Sequence, residues 1–475
     1  MTIIICHEKD IGSIVRSRCR LIEEFEKPRK YLFSLEKANH KIRHMRSLSH
    51  NGQAIFDPSK ILNTQADYFA KLYTETSDKA NNVCGIKSYL HNINLPNISN
   101  TSKEYCDNGI TFEEVSKAVK ELANNKTPGP DGIPGEFYKL FWSDIGHIVF
   151  DSFRQAYENG ELPNSQKQGI INLIPKKDKD LTDLKSWRPL SILNTDYKIL
   201  TKVLGNRLKT VLQDIISTDQ VGYMKNRYCG ENIKLISDVI EYCKLYNHPC
   251  YIFLADFEKA FDTVNLTFLM TALKSFGFGP KFTKWISIIY TNIESCVTNN
   301  GYLSSYFKLS RGIRQVCPIS ALLFLIVAEV VATIFRQSEC VRGMNIKRST
   351  IKLCQLADDM TLFLADINSV KLTFTIFEEF YRYAGLKLNK KKTEVFSVNT
   401  DMSYLQHCTK DVNWTDKPFK TLGMWFSSNI METIHLNTSH KINIIKSIIK
   451  SWQPRPLSIK GKITVVKSLI IPHLL

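Results

Sequence analysis

The sequence has no long uninterrupted apolar run. Its longest apolar stretch, residues 321–335, is 15 residues long and contains Glu329, whereas a membrane-spanning helix needs about 20 predominantly apolar residues. The apolar start, residues 1–6, is followed at once by the charged residues 7–10, so a secretory signal peptide is not expected. We therefore predict that residues 321–335 form a buried core helix. No membrane span is expected, and the protein should act inside the cell, in the nucleus, the cytoplasm or both.

Paired cysteines and repeats are also missing. The 12 cysteines are scattered, and none belongs to a Cys-x-x-Cys pair. The chain is too long to be a disulfide-stapled miniprotein, so reduced, mostly buried thiols are expected. His407 and Cys408 are too few to form a zinc site.

Acidic residues are in the minority. The chain has 63 Lys and Arg against 46 Asp and Glu, a formal net charge of +17 at pH 7. The imbalance is strongest in residues 417–475, which hold nine basic residues and one acid. Such a surplus indicates a polyanionic partner, either nucleic acid or an acidic membrane surface, and charge alone does not choose between them. The 475-residue length allows about two to four structural units.

Hydrophobic periodicity predicts interspersed helices and short strands, which is typical of an α+β fold. Residues 12–50 and 60–74 have the apolar spacing of helices. Residues 76–108 are rich in Asn, Ser and Thr and resemble a linker. Thr111 and Glu114 have the spacing of a capping box. The predicted strands include 170–175, 251–255 and a hairpin formed by 351–356 and 360–364.

Three carboxylates stand at the ends of predicted strands. Asp256 follows the strand 251–255, and Asp358 and Asp359 lie at the hairpin turn. Carboxylates that converge at one sheet edge repel each other unless a divalent cation neutralises them, and oxygen ligands suit Mg²⁺. Two Asp residues in a turn are, however, most often only a solvated turn.

The surrounding motifs favour the chemical interpretation. Ala255-Asp-Phe-Glu-Lys-Ala-Phe-Asp262 and Leu356-Ala-Asp-Asp359 resemble motifs A and C of reverse transcriptases. Arg311-Gly-Ile-Arg-Gln-Val-Cys-Pro-Ile-Ser320 resembles motif B, and Gly385-Leu-Lys-Leu-Asn-Lys-Lys-Lys-Thr393 resembles motif D. With Leu173–Lys177, Trp187–Asn194 and Lys126–Pro134 in the same order as in the family, the chain resembles the polymerase of LINE-type non-LTR retrotransposons.

The resemblance implies a right-hand polymerase fold. It comprises a helical N-terminal extension and linker (1–105), a fingers region (106–250), a palm with an antiparallel sheet and motifs A to D (251–415) and a truncated, basic helical thumb (416–475). The reverse transcriptase domain is expected at about 155–427. The segment 26–36 also resembles the region that precedes this polymerase. Neither the endonuclease domain nor the C-terminal zinc knuckle of the family is expected, so an endonuclease would have to be supplied elsewhere.

The implied activity is RNA-directed DNA synthesis, in which deoxynucleoside triphosphates are added to a DNA primer on an RNA template. Asp256, Asp358 and Asp359 match the residues that bind two Mg²⁺ ions, with Mn²⁺ as a substitute. Lys392 matches a candidate general acid. Asp262 is expected to brace the motif A helix.

The resemblance also assigns residues to the incoming nucleotide and to nucleic acid. Phe261 matches an aromatic plate under the sugar that excludes a 2′-hydroxyl, although it could be an ordinary core Phe. The nucleotide set is Lys176, Arg188, Phe257, Phe261 and Gln315. The nucleic-acid set is Lys126, Gln220, Arg227, Lys460 and Lys462. Lysines in a turn, or on a helix face, are often only solvated.

One departure from the family pattern bears on activity. Val316 stands where motif B usually has glycine, and a β-branched residue resists the backbone angles that glycine permits. Two alternatives therefore stay open. One is a catalytically impaired remnant that only binds nucleic acid. The other is a group II intron maturase, against which the N-terminal resemblance argues.

Overall fold

The computed structural model describes residues 45–50, 52–74, 83–176, 179–400, 405 and 412–474. Helices and sheets are interspersed along these residues, which confirms the predicted α+β class. The chain forms two compact units. The first unit takes its described residues from 1–83, 98–211 and 261–323, and the second from 84–97, 212–260 and 324–475. Residues 12–44 of the predicted helical stretch 12–50, which include 26–36, lie outside the described residues, as do Lys177, His407 and Cys408. The prediction is wrong at Leu48–His50, which form a strand.

Helices dominate the described part of the chain. In chain order they are α1 (Pro58–Tyr73), α2 (Val83–His91), α3 (Asn100–Asp107), α4 (Phe112–Lys120), α5 (Gly135–Leu140), α6 (Trp142–Asn159), α7 (Asn164–Lys167), α8 (Thr195–Val211), α9 (Cys229–Leu245), α10 (Ala260–Thr263), α11 (Leu266–Ser275), α12 (Pro280–Tyr290), α13 (Ser320–Gln337), α14 (Ile367–Ala384), α15 (Ile430–Trp452), α16 (Ile459–Val465) and α17 (Ile471–Leu474). Short 3₁₀ turns occupy Leu184–Ser186 and Leu212–Asp214, and Val466–Ile470 is a π-helical turn.

The strands are short. In chain order they are β1 (Leu48–His50), β2 (Gln53–Ile55), β3 (Gln168–Pro175), β4 (Trp187–Leu193), β5 (Cys250–Ala255), β6 (Glu294–Asn299), β7 (Tyr302–Leu303), β8 (Phe307–Lys308), β9 (Met344–Ile346), β10 (Ser349–Ile351), β11 (Leu353–Leu356), β12 (Asp359–Leu364), β13 (Glu394–Val398), β14 (Trp414–Thr415), β15 (Phe419–Thr421) and β16 (Met424–Phe426).

The predicted linker at 76–108 is wrong over most of its described part, because α2 and α3 occupy it. Ile86, Leu90 and Cys106 are buried, so these short helices present narrow apolar faces that the polar composition concealed. The Ser99 hydroxyl accepts a hydrogen bond from the Ser102 backbone N–H and caps α3. Ser99 therefore serves as a helix cap, a role that composition does not separate from a loop.

Other local signals were predicted correctly. The capping box at the start of α4 is present, since the Thr111 hydroxyl accepts from Glu114 N and the Glu114 carboxylate accepts from Thr111 N. The same carboxylate pairs with Arg207 of α8, whose guanidinium is buried. This ion pair ties α8 to the start of α4 within the first unit.

The first unit is built on a five-stranded sheet in the order β4–β3–β6–β7, with β8 also pairing with β6. β3 and β4 form an antiparallel hairpin, in which Ile174 lies opposite Arg188. β3 runs parallel to β6. The predicted strand at 170–175 is thus confirmed, and its hairpin carries two of the predicted nucleotide-binding cations.

The second unit contains a five-stranded sheet in the order β11–β12–β5–β13–β14. All neighbours are antiparallel except β13 and β14. On one face, Ile252, Phe363 and Phe396 pack in a buried cluster with residues of α9. On the other face, the Phe253 ring lies 5.0 Å from Phe374 of α14, centroid to centroid. β5 is covered on both sides, which fixes the position of the residue that follows it.

The apolar stretch at 321–335 forms the greater part of α13. This helix is long and apolar enough to cross a membrane by length and composition, but 78% of it is buried in the protein. The prediction of a core helix is confirmed. By contrast, α15 and α16 of the basic C-terminal region contain no buried residues among those described.

Candidate active site

Three carboxylates meet at one edge of the second unit's sheet. β5 ends at Ala255, which pairs with Met360 of β12. Asp256 and Asp359 each lie one residue beyond this pair, so the antiparallel register places them opposite each other. Asp358 occupies the two-residue turn that joins β11 to β12. Residues 102 positions apart in sequence are thereby brought together.

The carboxylates disfavour one another's charge. Burial raises the pKa of Asp358, and the Asp256 carboxylate adds to the rise. Burial, followed by the charges of Asp358 and Asp256, raises the pKa of Asp359 to about 6. Within the described structure, Asp256 Oδ2 is buried and accepts no hydrogen bond. A negative, under-satisfied edge of this kind suits a cation.

The donor set fits a hard divalent cation that keeps part of its coordination for water and substrate. Among the residues that the structure describes, no three His, Cys, Asp or Glu side chains form a ready-made metal cluster. Mg²⁺ commonly binds through one or two carboxylates and completes its shell with waters and substrate phosphates. Asp256 and Asp359, which the register sets opposite each other, could supply such carboxylates, with Asp358 in the adjoining turn.

Lys392 is brought beside the carboxylates. Its Nζ lies 3.7 Å from Asp256 Oδ2. The position follows from the turn before β13, since Asn389 N donates to Asp256 O (2.7 Å) and Lys392 N donates to Asn389 O (3.0 Å). The Lys392 side chain is largely exposed, so it can reach a ligand bound at this edge.

Phe257 contributes packing at this position. It forms a bridge with Leu388, and its ring meets the Phe377 ring edge-on at 5.6 Å between centroids. The Phe257 side chain is thus packed against α14, directly after Asp256 in the chain.

In the first unit, Gln315 is joined to helix α1 through Asp262. Gln315 Nε2 donates to Asp262 Oδ1 (3.0 Å) and Oδ2 (3.2 Å), and the Tyr73 hydroxyl donates to Asp262 Oδ1 (2.8 Å). Phe261 is placed next to this network, because Ile313 N donates to its carbonyl oxygen (2.7 Å). Asp262 thus links motif A to Tyr73 of α1 and to Gln315 of motif B.

Glycine is required where the segment before Gln315 passes the Asp262 backbone. Gly312 has a φ of 87°, and a Cβ there would lie 2.6 Å from Asp262 O. Val316, four residues on, also has a positive φ, 72°, and its side chain is 64% exposed. The sequence departure at Val316 therefore places a β-branched residue in a left-handed backbone conformation.

Two predicted cations lie on the β3–β4 hairpin. Lys176 Nζ donates to Lys185 O (2.8 Å), so its ammonium group is bonded within the hairpin. Arg188 is exposed on β4. Of the two, Arg188 is the better placed for a ligand in solvent.

The predicted nucleic-acid set divides into two groups. Lys126, Lys460 and Lys462 are exposed. Gln220 is only 1% exposed and hydrogen-bonds to the β11–β12 turn. Arg227 donates to the carbonyl oxygens of Ile216, Ser217 and Gln220. The side chains of Gln220 and Arg227 are thus engaged in internal contacts that the sequence did not predict.

Tyr73 is a candidate functional residue that sequence reasoning missed. It ends an ordinary amphipathic helix and lies 189 positions before its partner Asp262. No local motif connects the two residues, so their hydrogen bond is visible only in the folded structure.

Comparisons with known proteins agree with the motifs. A sequence profile for "Reverse transcriptase (RNA-dependent DNA polymerase)" matches residues 174–426, more than half of the chain. The chain is 27% identical over 468 residues to the "Transposon TX1 uncharacterized 149 kDa protein" of Xenopus laevis, an alignment that covers 97% of this chain and 35% of the relative.

Two further relatives come from Drosophila melanogaster. The chain is 24% identical to the "Retrovirus-related Pol polyprotein from type-2 retrotransposable element R2DM", over 66% of this chain and 29% of the relative. It is 22% identical to the "RNA-directed DNA polymerase from mobile element jockey", over 77% of this chain and 40% of the relative. The chain thus spans only about a third of the length of these relatives.

Proposed function

The chain belongs to the reverse transcriptase (RNA-dependent DNA polymerase) family, and from this premise we propose that it copies an RNA template into DNA by adding deoxynucleotides to a primer 3′ end. The predicted resemblance to LINE-type enzymes is confirmed by relatives from retrotransposable elements. Reverse transcriptases use divalent metal ions and act on templates, primers and deoxynucleoside triphosphates. We expect this chain to do the same inside the cell.

The observation that carries the proposal is the convergence of three carboxylates at one sheet edge. Asp256 and Asp359 lie opposite each other across β5 and β12, and Asp358 lies in the adjoining turn. We assign all three to the binding of two Mg²⁺ ions, with Mn²⁺ as a substitute. When bound, such ions neutralise the triphosphate and stabilise the attacking and leaving oxygens of an in-line displacement.

The chain's own residues would then act on the substrate groups. Lys392, beside Asp256, would hold a proton for the departing pyrophosphate. Arg188 and Lys176 would pair with the phosphates, Arg188 through its planar fork. The Phe261 ring, with Gln315 beside it, would close the sugar pocket against a 2′-hydroxyl, which selects deoxynucleotides.

We further propose the right-hand arrangement for the whole fold. The hairpin with Arg188 would belong to the fingers, the sheet with Asp256 to the palm and the basic helices α15 and α16 to the thumb. Exposed Lys460 and Lys462 suit contacts with duplex phosphates, which are independent of sequence and sensitive to salt. Lys126 would contact the template.

A specific observation also supports the second candidate, a remnant that only binds nucleic acid. Val316 follows Gln315, and its left-handed φ of 72° is a conformation that a β-branched residue disfavours. Strain next to the proposed nucleotide pocket would reduce catalysis without affecting the exposed basic surface.

Primer extension on an RNA template in Mg²⁺ or Mn²⁺ separates the two candidates. The wild type should extend the primer, and Asp358→Ala should abolish the product because a cation ligand is lost. Val316→Gly should raise the yield. Asp151→Ala, an exposed aspartate of α6, is the matched control and should behave as the wild type.

Two outcomes contradict the proposal. If Asp358→Ala extends primers as well as the wild type, the assignment of the carboxylates fails. If neither the wild type nor Val316→Gly extends a primer although both bind the RNA–DNA duplex, the remnant is the correct description.

A further inference from the structure

We propose that Gln220 is a positioning residue for the carboxylate edge, fixing the turn that carries Asp358 and leads into Asp359. The inference rests on the proposed function in one respect, namely that these carboxylates bind the divalent cation. It assigns to Gln220 an internal role instead of the contact with nucleic acid that the motif had indicated.

The Gln220 amide satisfies both backbone groups of Ala357, the residue before Asp358. Its Oε1 accepts from Ala357 N (2.9 Å) and from Gly222 N (2.8 Å). Its Nε2 donates to Ala357 O (3.3 Å) and to Gln355 Oε1 (3.2 Å). One buried side chain thus makes four hydrogen bonds, two of them to the first residue of the turn.

The turn needs this external support. Leu356 pairs with Asp359, so Ala357 and Asp358 form a two-residue connection. Ala357 has a φ of 57°, and a positive φ at the first position of such a turn favours glycine. A non-glycine residue persists in this region only where its surroundings hold it there. Gln220 supplies hydrogen bonds that do so.

Gln220 is itself anchored by the segment around it. Gln355 N donates to Asp219 O (2.8 Å), and Val221 N donates to Gln355 O (3.0 Å). Arg227 donates to the Gln220 carbonyl oxygen (2.7 Å). The segment therefore attaches to the edge strand β11 through a parallel bridge between Gln220 and Gln355, two residues before the turn.

The close approach of this segment depends on Gly222. A Cβ on Gly222 would lie 2.4 Å from Ala357 N, a separation that no packed structure tolerates. The segment and the turn thus touch backbone to backbone. A change in the Gln220 amide acts directly on Ala357, the residue before Asp358, through two hydrogen bonds.

The test measures binding of Mn²⁺ alone to the whole chain by electron paramagnetic resonance. Gln220→Met keeps the side-chain length but removes the amide. It should weaken Mn²⁺ binding by about ten-fold, the usual scale for residues that orient metal ligands. Gln65→Met is the matched control, because Gln65 is also a buried glutamine but bonds to Met45 in the first unit. It should leave Mn²⁺ binding unchanged.

A rescue distinguishes positioning from general stabilisation. Ala357→Gly removes the backbone strain at the turn, so the double variant with Gln220→Met should recover at least part of the lost Mn²⁺ affinity. A loss caused by damage elsewhere in the fold would not respond to Ala357→Gly. If Gln220→Met does not fold, Gln220→Asn is used in its place. Asn keeps the amide but is one methylene shorter, so the amide no longer reaches Ala357, and the same results are expected.

The proposal is overturned if the Gln220 variant binds Mn²⁺ as tightly as the wild type, or if Ala357→Gly gives no recovery. Asp358→Ala separates this failure from failure of the proposed function. If Asp358→Ala also binds Mn²⁺ like the wild type, the carboxylates are not the cation site.

Discussion

At the scale of single residues, Val316 is the position where the chain departs most clearly from local conformational preference. Its φ of 72° lies in the left-handed region. Its side chain is mostly exposed, so apolar burial offsets little of the conformational strain. A left-handed backbone at a residue with a Cβ costs about 1–2 kcal/mol. The neighbouring bonds from Gln315 to Asp262 help to hold the segment in place.

Val316→Gly should therefore raise the free energy of unfolding by about 1 kcal/mol, since relief of strain outweighs the extra freedom of glycine in the unfolded chain. Urea denaturation measures the change. Val466→Gly is the control, because Val466 is exposed and helical, with a φ of −61°. It should destabilise the protein. A Val316→Gly variant no more stable than the wild type would contradict the account.

The residue scale also shows what the sequence could and could not predict about the site. Strand ends and motif order predict that Asp256, Asp358 and Asp359 lie at one sheet edge, which is where the structure places them. The motif around Gln220 predicts a position near template and primer, yet the described Gln220 side chain is buried. Sequence patterns place a residue in a segment, but the direction of its side chain depends on contacts with residues far along the chain.

At the scale of elements, α13 is tied to the segment before α9 by a partly buried ion-pair cluster. Arg336 Nε and Nη2 donate to the two Asp219 oxygens (2.7 and 3.0 Å), and Nη1 donates to Glu329 Oε1 (2.8 Å). Glu329 is 2% exposed. Burial raises the pKa of Glu329 to about 7, although Arg336 opposes the rise.

This cluster predicts a pH dependence of stability. The Glu329 pKa is about 7 in the folded chain against 4.5 as the ordinary value, so between these values the folded state binds more protons than the unfolded state. Stability should fall as pH rises from about 5 to about 7, by up to about 3 kcal/mol, and then level off. Glu329→Gln, which cannot ionise, should abolish that part of the fall.

Urea midpoints at pH 5 and pH 8 measure the effect. Glu113→Gln, at an exposed position on α4, is the control and should retain the wild-type dependence. Equal pH dependence in the wild type and Glu329→Gln would contradict the account.

The elements themselves were largely predictable from sequence. β5, the β11–β12 hairpin and the α4 capping box follow from alternation, apolar runs and cap spacing. The sequence does not predict α2 and α3, because each is only eight or nine residues long and buries only one or two residues. Their burial against the rest of the chain, which is not visible in a local window, stabilises them.

At the scale of the whole molecule, each compact unit is assembled from three separate stretches of chain. The predicted linear order of regions gives no sign of this interleaving. The pair Tyr73 and Asp262 illustrates why, since it joins positions 189 residues apart within one unit. Such contacts depend on tertiary packing rather than on local propensity.

Charge is the other whole-molecule property, and it predicts a salt effect. The combined variant Lys460→Glu and Lys462→Glu should weaken binding to an RNA–DNA duplex and reduce the slope of log affinity against log salt by about two or more. Fluorescence anisotropy between about 50 and 200 mM salt measures the slope. Lys103→Glu with Lys120→Glu, both exposed in the first unit, is the matched control. An equal change in both pairs would show that only net charge matters.

Single-nucleotide incorporation is the decisive assay for RNA-directed DNA synthesis at the carboxylate edge. A labelled DNA primer on an RNA template of known sequence is incubated with each deoxynucleoside triphosphate in turn, and with the matching ribonucleotide. The wild type should add only the complementary deoxynucleotide, and Asp256→Asn should add none. Incorporation that ignores the template base, or that survives Asp256→Asn, would contradict the account.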